Sequence, residues 1–184
     1  ILNDPITTNA WSQLRCREAG ATLISGIDPV QLPKAQKNEV ELNGMRNCHI
    51  RDGCAVSRYL AWIDRVVAAG ELHDEAQLAN KLEQFRRELG NIQDLSFDTI
   101  SAAGANGALC HYNHINGRPA LLELNNLYLV DSGGQYLDGT TDITRTVVIG
   151  EPSDEHMKMF TLVLKGHIAL AAAVFPKGTS GTQL

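Results

Sequence analysis

No stretch of this chain is apolar for long enough to cross a bilayer. The longest uninterrupted run, Ile168-Ala169-Leu170-Ala171-Ala172-Ala173-Val174-Phe175, has eight residues, against the roughly 20 that a spanning helix needs. It also lacks any block of like charge: 16 basic and 21 acidic residues give a formal charge of −5, spread over both halves, which excludes the electrostatic footprint of a nucleic-acid binder and gives no support for a membrane surface. Its four cysteines, Cys16, Cys48, Cys54 and Cys110, include no Cys-x-x-Cys pair and sit inside element-like segments, so they read as reduced, buried thiols of a cytoplasmic protein. No internal repeat, low-complexity tract or His-Glu-x-x-His signature is present. No signal peptide is visible, and the chain opens on Ile1-Leu2-Asn3-Asp4 rather than methionine, which suggests a truncated or cleaved product whose targeting cannot be read from this stretch.

What remains is ordinary globular composition. At 184 residues with 43% hydrophobic and 20% charged, the chain can bury a sizeable core. Residues 8–19 carry a short helical pattern, followed by a strand-like Ala21-Thr22-Leu23-Ile24-Ser25, and the dipeptides Asp28-Pro29 and Leu32-Pro33 then punctuate the chain. From Lys34 to Ala68, Val40, Met45, Cys48, Ala55, Val56, Tyr59, Trp62, Ile63 and Val66 recur at three- and four-residue intervals, the period of one helix. A second helix is expected over Asp74–Leu89, closed by Gly90, and a third over 153–174, with Ser153 as N-cap, Asp154 and Glu155 at the positive end of the dipole, and Pro176 as terminator. Between the last two lie strands at about 98–102, 107–112, 127–132 and 143–149. Helices followed by strands and a further helix indicate an α+β domain with helices backing one face of an antiparallel sheet.

Two aspartates flank the tightest feature of this pattern. Leu127-Tyr128-Leu129-Val130 runs into Asp131, and Ile143 to Ile149 runs out of Asp142, while Gly133, Gly134 and Gly139 provide the backbone freedom for a reversal. A hairpin with a long connection, folded near Tyr136 and Leu137, brings Asp131 opposite or nearly opposite Asp142. Like charges there repel. Either one carboxyl is protonated or a hard cation lies between them; the bland alternative is a pair of solvated aspartates beside a turn. Asp138 reads as a turn residue, and Thr144 shares the face of Asp142 while Arg145 points away. His111, next to Tyr112, ends an apolar strand. His49, His73, His156 and His167 read as surface or packing histidines, and His114 has no assignable role.

The segment Asp131 to Thr146 resembles the Asp-Ser-Gly-x-Gln-Tyr-x-Asp-Gly-Thr-Thr-Asp-x-Thr-Arg-Thr pattern of the Xaa-Pro aminopeptidases, metallopeptidases of the pita-bread (creatinase/aminopeptidase) fold. Leu95–Ser101, Asn106–Tyr112, Gly44–Gly53 and Val163–Ala169 resemble the same family in the same order, so the resemblance covers roughly residues 28–184. It implies an α+β domain of which this chain carries the first half, over 31–184, preceded by a loosely anchored remnant of an amino-terminal domain over 1–30. It further implies two divalent ions, commonly manganese, held in part by Asp131 and Asp142, with one histidine and two glutamates supplied by sequence this chain does not contain; His111 faces the substrate. The implied reaction is release of the first residue from a peptide with proline in second position, the fragment alone being inactive. A homodimer is a common state of such relatives. A prolidase or methionine aminopeptidase on the same fold, or a non-catalytic peptide-binding module, are the alternatives.

Overall fold

The computed structural model describes residues 1–184 as two compact units, 1–46 and 47–184. In the first, strand β1 (Leu2–Asn3) pairs in parallel with β2 (Ile24–Ser25). Between them, helix α1 (Ala10–Glu18) starts where the Asn9 side chain accepts the Ser12 N–H at 2.8 Å, satisfying one of the amide donors that a helix start leaves orphaned. Residues 2–25 thus form a short β–α–β segment. The single helix expected from Lys34 is corrected. A short helix α2 (Gln31–Ala35) ends, and α3 (Glu39–Ala68) begins anew. The restart is chemical: Asn38 N–H donates to Glu41 and Glu41 N–H donates to the Asn38 side chain, each at 2.9 Å, a reciprocal cap that favours a fresh N-terminus.

In the second unit, α3 turns one stripe inward, with Cys48, Asp52, Ala55, Val56, Tyr59, Ile63 and Val66 buried at helical spacing. Helix α4 (Glu75–Glu88) opens on a capping box between Asp74 and Gln77 and buries Leu78, Ala79, Leu82 and Phe85. These two helices pack on a three-stranded antiparallel sheet of order β4 (Ile100–Ala103), β5 (Asn126–Ser132), β8 (Ile143–Ile149). Tyr128 and Val130 of β5 and Ile149 of β8 complete the core. Its polar centre is a chain of hydroxyls: Tyr59 on α3 lies 2.8 Å from the Tyr128 hydroxyl, which lies 2.7 Å from Ser101 on β4. Burial pushes the Tyr128 phenol up to about 12, so the link stays neutral.

A second small sheet joins β3 (Ile92–Leu95), β6 (Gly134–Tyr136) and β7 (Gly139–Thr140). Strands β3, β6 and β7 escaped the sequence pattern because they are two to four residues long. Helix α5 (Asp154–Ala172) starts on the expected Ser153 cap but buries none of its residues. It leaves Phe160, Val163, Leu164 and Ile168 about half or more exposed, while α3 and α4 back the sheet as anticipated. The strand expected over 107–112 is absent: Gly104–Ala108 is a 3-10 turn, and a further turn carries Leu109 to Tyr112. None of the four cysteines is in a disulfide, but only Cys48 is buried, Cys16 is intermediate, and Cys54 and Cys110 are exposed.

Candidate metal centre

Strands β5, β6, β7 and β8 are successive pieces of one hairpin. Ser132 pairs with Ile143, Gln135 with Thr140 and Tyr136 with Gly139, a single register throughout. The connection is thus the two residues Leu137 and Asp138, far shorter than expected. In this register Asp131 pairs with Thr144, and Asp142 lies two residues before Thr144, immediately ahead of β8. Side chains alternate faces along a strand, so Asp131, Thr144 and Asp142 share one face, the two carboxylates being diagonal neighbours rather than directly opposed. That face is turned away from the core, which receives Tyr128, Val130 and Ser132. Asp131 is half-buried and Asp142 exposed.

The hairpin narrows between the two aspartates. Thr141 is buried; its N–H donates to Gly134 O at 2.9 Å and its Oγ1 accepts Gly134 N–H at 2.9 Å. From the other side Ser96 Oγ donates to Thr141 O at 2.9 Å. The peptide leading into Asp142 is therefore fixed from two directions. Gly133 is required here, since a Cβ on it would lie 1.9 Å from Thr141 O and 2.2 Å from Ser96 Oγ.

The hairpin tip is clamped as well. Asp138 receives both Arg51 Nη1, at 3.0 Å, and Arg51 Nη2; the Arg51 hydrogen bonds hold its carboxyl below the usual range. The turn reading of Asp138 stands, with this anchoring added. Next to Arg51 on α3, buried Asp52 accepts Arg86 Nε at 2.7 Å, Arg86 Nη2 at 3.1 Å and the Tyr136 hydroxyl at 2.6 Å. Helices α3 and α4 thereby hold the end of the hairpin whose waist carries the carboxylates.

One atom at the waist is left without a partner: Asp131 Oδ1 is buried and makes no hydrogen bond. Such an orphaned carboxylate oxygen is costly unless a cation or proton meets it, and oxygen donors of this kind suit hard divalent ions. The two aspartates fit a metal in that respect. No group of three or more His, Cys, Asp or Glu side chains gathers to hold an ion. Thr144, opposite Asp131, also lines a groove of about 770 Å³ bounded by Phe160, Val163, Leu164 and His167 of α5.

His111 does not end a strand. It occupies the third position of the turn from Leu109 to Tyr112, exposed, with φ of 54°, a left-handed conformation unusual for a non-glycine residue. Tyr112 beside it is pinned: its hydroxyl donates to Glu75 Oε2 at 2.8 Å and accepts Asn106 Nδ2 at 2.9 Å. Glu75 escaped sequence reasoning because a first-turn glutamate looks like any dipole-complementing acid. His73 lies tilted against Trp62 with ring centroids 5.0 Å apart, and His156 closes the exposed α5 cap, a packing and a surface histidine as anticipated. His114, unassigned from sequence, is buried with Nδ1 unpartnered.

Residues 43–184 match the model of metallopeptidase family M24. The chain belongs to that family. A probable Xaa-Pro aminopeptidase P of Neurospora crassa is 52% identical over 163 residues, which cover 86% of this chain and 24% of that protein. One from Metarhizium acridum is 48% identical over 176 residues, 95% of this chain and 28% of that one. Among solved structures, an X-prolyl aminopeptidase of Caenorhabditis elegans, a cytosolic enzyme with a di-nuclear active site, superposes with a TM-score of 0.80 at 37% identity, over 94% of this chain and 32% of its own. A prolidase from Pyrococcus furiosus matches in fold, with a TM-score of 0.74 at 23% identity, over 96% of this chain and 50% of its own. The architecture is the α+β pita-bread fold of the family. The chain spans about a quarter of the length of the curated relatives it matches.

Proposed function

We propose that this M24 chain serves in a metal-dependent aminopeptidase that releases the first residue of peptides with proline in second position. Asp131 and Asp142 would supply two of the ligands of a dinuclear centre, with manganese as the expected metal. The single observation that carries the reading is the register that puts both carboxylates on one open face with Asp131 Oδ1 buried and unpartnered. When bound, the two divalent ions supply Lewis acidity toward the peptide carbonyl and activate water for attack.

The residues of this chain then have separable tasks. Asp131 and Asp142 would set the position of the charge, Thr144 pairs with Asp131 across the strands, and His111 would orient the substrate from the turn beside Tyr112. The remaining ligands would come from outside these 184 residues, residues 31–184 forming the first half of the catalytic domain and 1–30 belonging to a preceding one. The likeness to a cytosolic enzyme supports a cytoplasmic setting.

The test is turnover by the complete enzyme of a tripeptide with proline second, against an Xaa-Pro dipeptide. Cleavage of the tripeptide, lost on Asp131→Asn or Asp142→Asn together with bound manganese, is the expected result. Preference for the dipeptide would make the protein a prolidase instead, and tripeptide cleavage that persists in both variants after chelation would refute the metal reading.

A further inference from the structure

Glu75 is a fully buried carboxylate with no cation beside it. It sits at the first turn of α4, where the helix dipole favours negative charge, and it receives four donors: Oε1 accepts Ala103 N–H and Asn106 Nδ2, and Oε2 accepts the Tyr112 hydroxyl and Ala120 N–H, at 2.8 to 2.9 Å. Burial pushes its carboxyl up, but the bonds from Ala103, Asn106, Ala120 and Tyr112 outweigh it and leave the group below its ordinary value. Those donors come from the end of β4, the 3-10 turn, the turn bearing His111 and the chain beyond it, so one side chain gathers the whole segment 103–120. No other acidic residue of the chain joins so many separate backbone segments.

The segment needs such a hub. His111 holds a left-handed backbone, which is strained for an L-residue and persists only where the surroundings over-determine it. The surroundings here are Tyr112, fixed through its hydroxyl, and Asn106, whose carbonyl accepts Leu109 N–H at 3.1 Å at the start of the same turn.

We propose that Glu75 is the positioning residue of His111: through Tyr112 and Asn106 it imposes the left-handed turn that presents the imidazole. The functional consequence rests on the reading of His111 as substrate-facing, but the positioning itself does not. Glu75→Gln keeps size and removes one acceptor face, so that an amide N–H₂ meets two donors. In the full chain carrying isotope-labelled histidine, E75Q is expected to displace the ring signals of His111, identified by their loss in His111→Ala, while those of His49, His156 and His167 stay in place. Unmoved His111 signals in folded E75Q would overturn the proposal.

If E75Q does not fold, Tyr112→Phe removes one of the four bonds and leaves the carboxylate in place; displaced His111 signals support the proposal there, and unmoved signals overturn it. In the complete enzyme, E75Q should raise KM for the proline-second tripeptide about tenfold, as a misplaced positioning group does, with bound metal unchanged. Added to His111→Ala it should cost nothing further. Additive losses would overturn the coupling. Displaced ring signals in E75Q together with unaltered kinetics in His111→Ala would support the positioning and count against the substrate-facing role instead.

Discussion

Gly133→Ala is the sharpest test of how the hairpin sets its carboxylates. Gly133 lies cross-strand from Asp142 in the register that pairs Ser132 with Ile143. An added Cβ would stand 1.9 Å from Thr141 O and 2.2 Å from Ser96 Oγ. Real contacts of this type begin near 3.0 Å, so the Thr141 carbonyl must retreat by about 1.1 Å, and Asp142, the next residue, moves with it. Ser96 could rotate away, but a backbone carbonyl held between two strands has no such freedom. Overpacking of a filled site costs about 1–3 kcal/mol, and the backbone nature of this clash puts the substitution at the upper end. Misplacement by about 1 Å can lower turnover about 100-fold. Gly53→Ala is the control: nothing lies within 4 Å of its Cβ in the middle of α3, and replacing a helical glycine there should stabilise by about 0.5–1 kcal/mol. Urea unfolding of both variants, with tripeptide turnover in the complete enzyme, reads the contrast. A Gly133→Ala protein within about 0.5 kcal/mol of the parent, with turnover intact, would show that the waist of the hairpin does not fix Asp142.

Three other outcomes are expected. Asp52→Ala leaves the Arg86 guanidinium, fully buried, without its counter-ion and should destabilise by about 3–5 kcal/mol, read as a lower urea midpoint; a loss below about 1 kcal/mol would mean that the tip clamp is not structural. Calorimetry of this chain with manganese should show weak binding, because two carboxylates leave most coordination positions to water; tight binding would contradict the assignment of further ligands to sequence outside it. Glu75 and Asp138 both have depressed carboxyls, so the unfolded chain binds more protons than the folded one in the window below about pH 4. Their stabilisation is complete above the unfolded value and disappears as pH falls through the folded values; a urea midpoint equally steep in E75Q over that window would rule Glu75 out as a contributor.

Much of this was legible because periodicity and caps are local. The stripe of α3, the Ser153 cap and strand β8 follow from side-chain spacing over a few residues, as does the shared face of Asp131 and Asp142, since parity is all that the alternation of a hairpin requires. The misses are of two kinds. Leu109-Cys110-His111-Tyr112 has the composition of a strand, yet it turns because Asn106 and Tyr112 are tethered to Glu75 from a different helix, a tertiary override that no window of sequence contains. The glycine content of the hairpin suggests a long loop where the structure has a two-residue turn at Leu137 and Asp138. Gly133 and Gly134 serve close approach instead, Gly134 having the Tyr136 ring where its Cβ would be.

These contacts bear on how the scaffold tolerates two acidic groups on one face. Left to itself, mutual repulsion would be relieved by a small slip or splay of the two strands. The hairpin is denied both, at the waist by Thr141, Gly134 and Ser96 and at the tip by the adjacent Arg51 and Asp52 reaching Asp138 and Tyr136. The tip clamp is itself a paired charge array, with Arg86 behind Asp52 and Arg51 over the Tyr136 ring at 5.3 Å, so it stays neutral overall while it resists opening. Repulsion that cannot be relaxed by movement can be relieved by a cation, and on the proposed reading this is the physical sense in which the fold prepares the site. His111 is held by separate means, through Glu75 on the other helix, so the carboxylate pair and the imidazole can be perturbed one at a time by substitutions at Gly133 and Glu75.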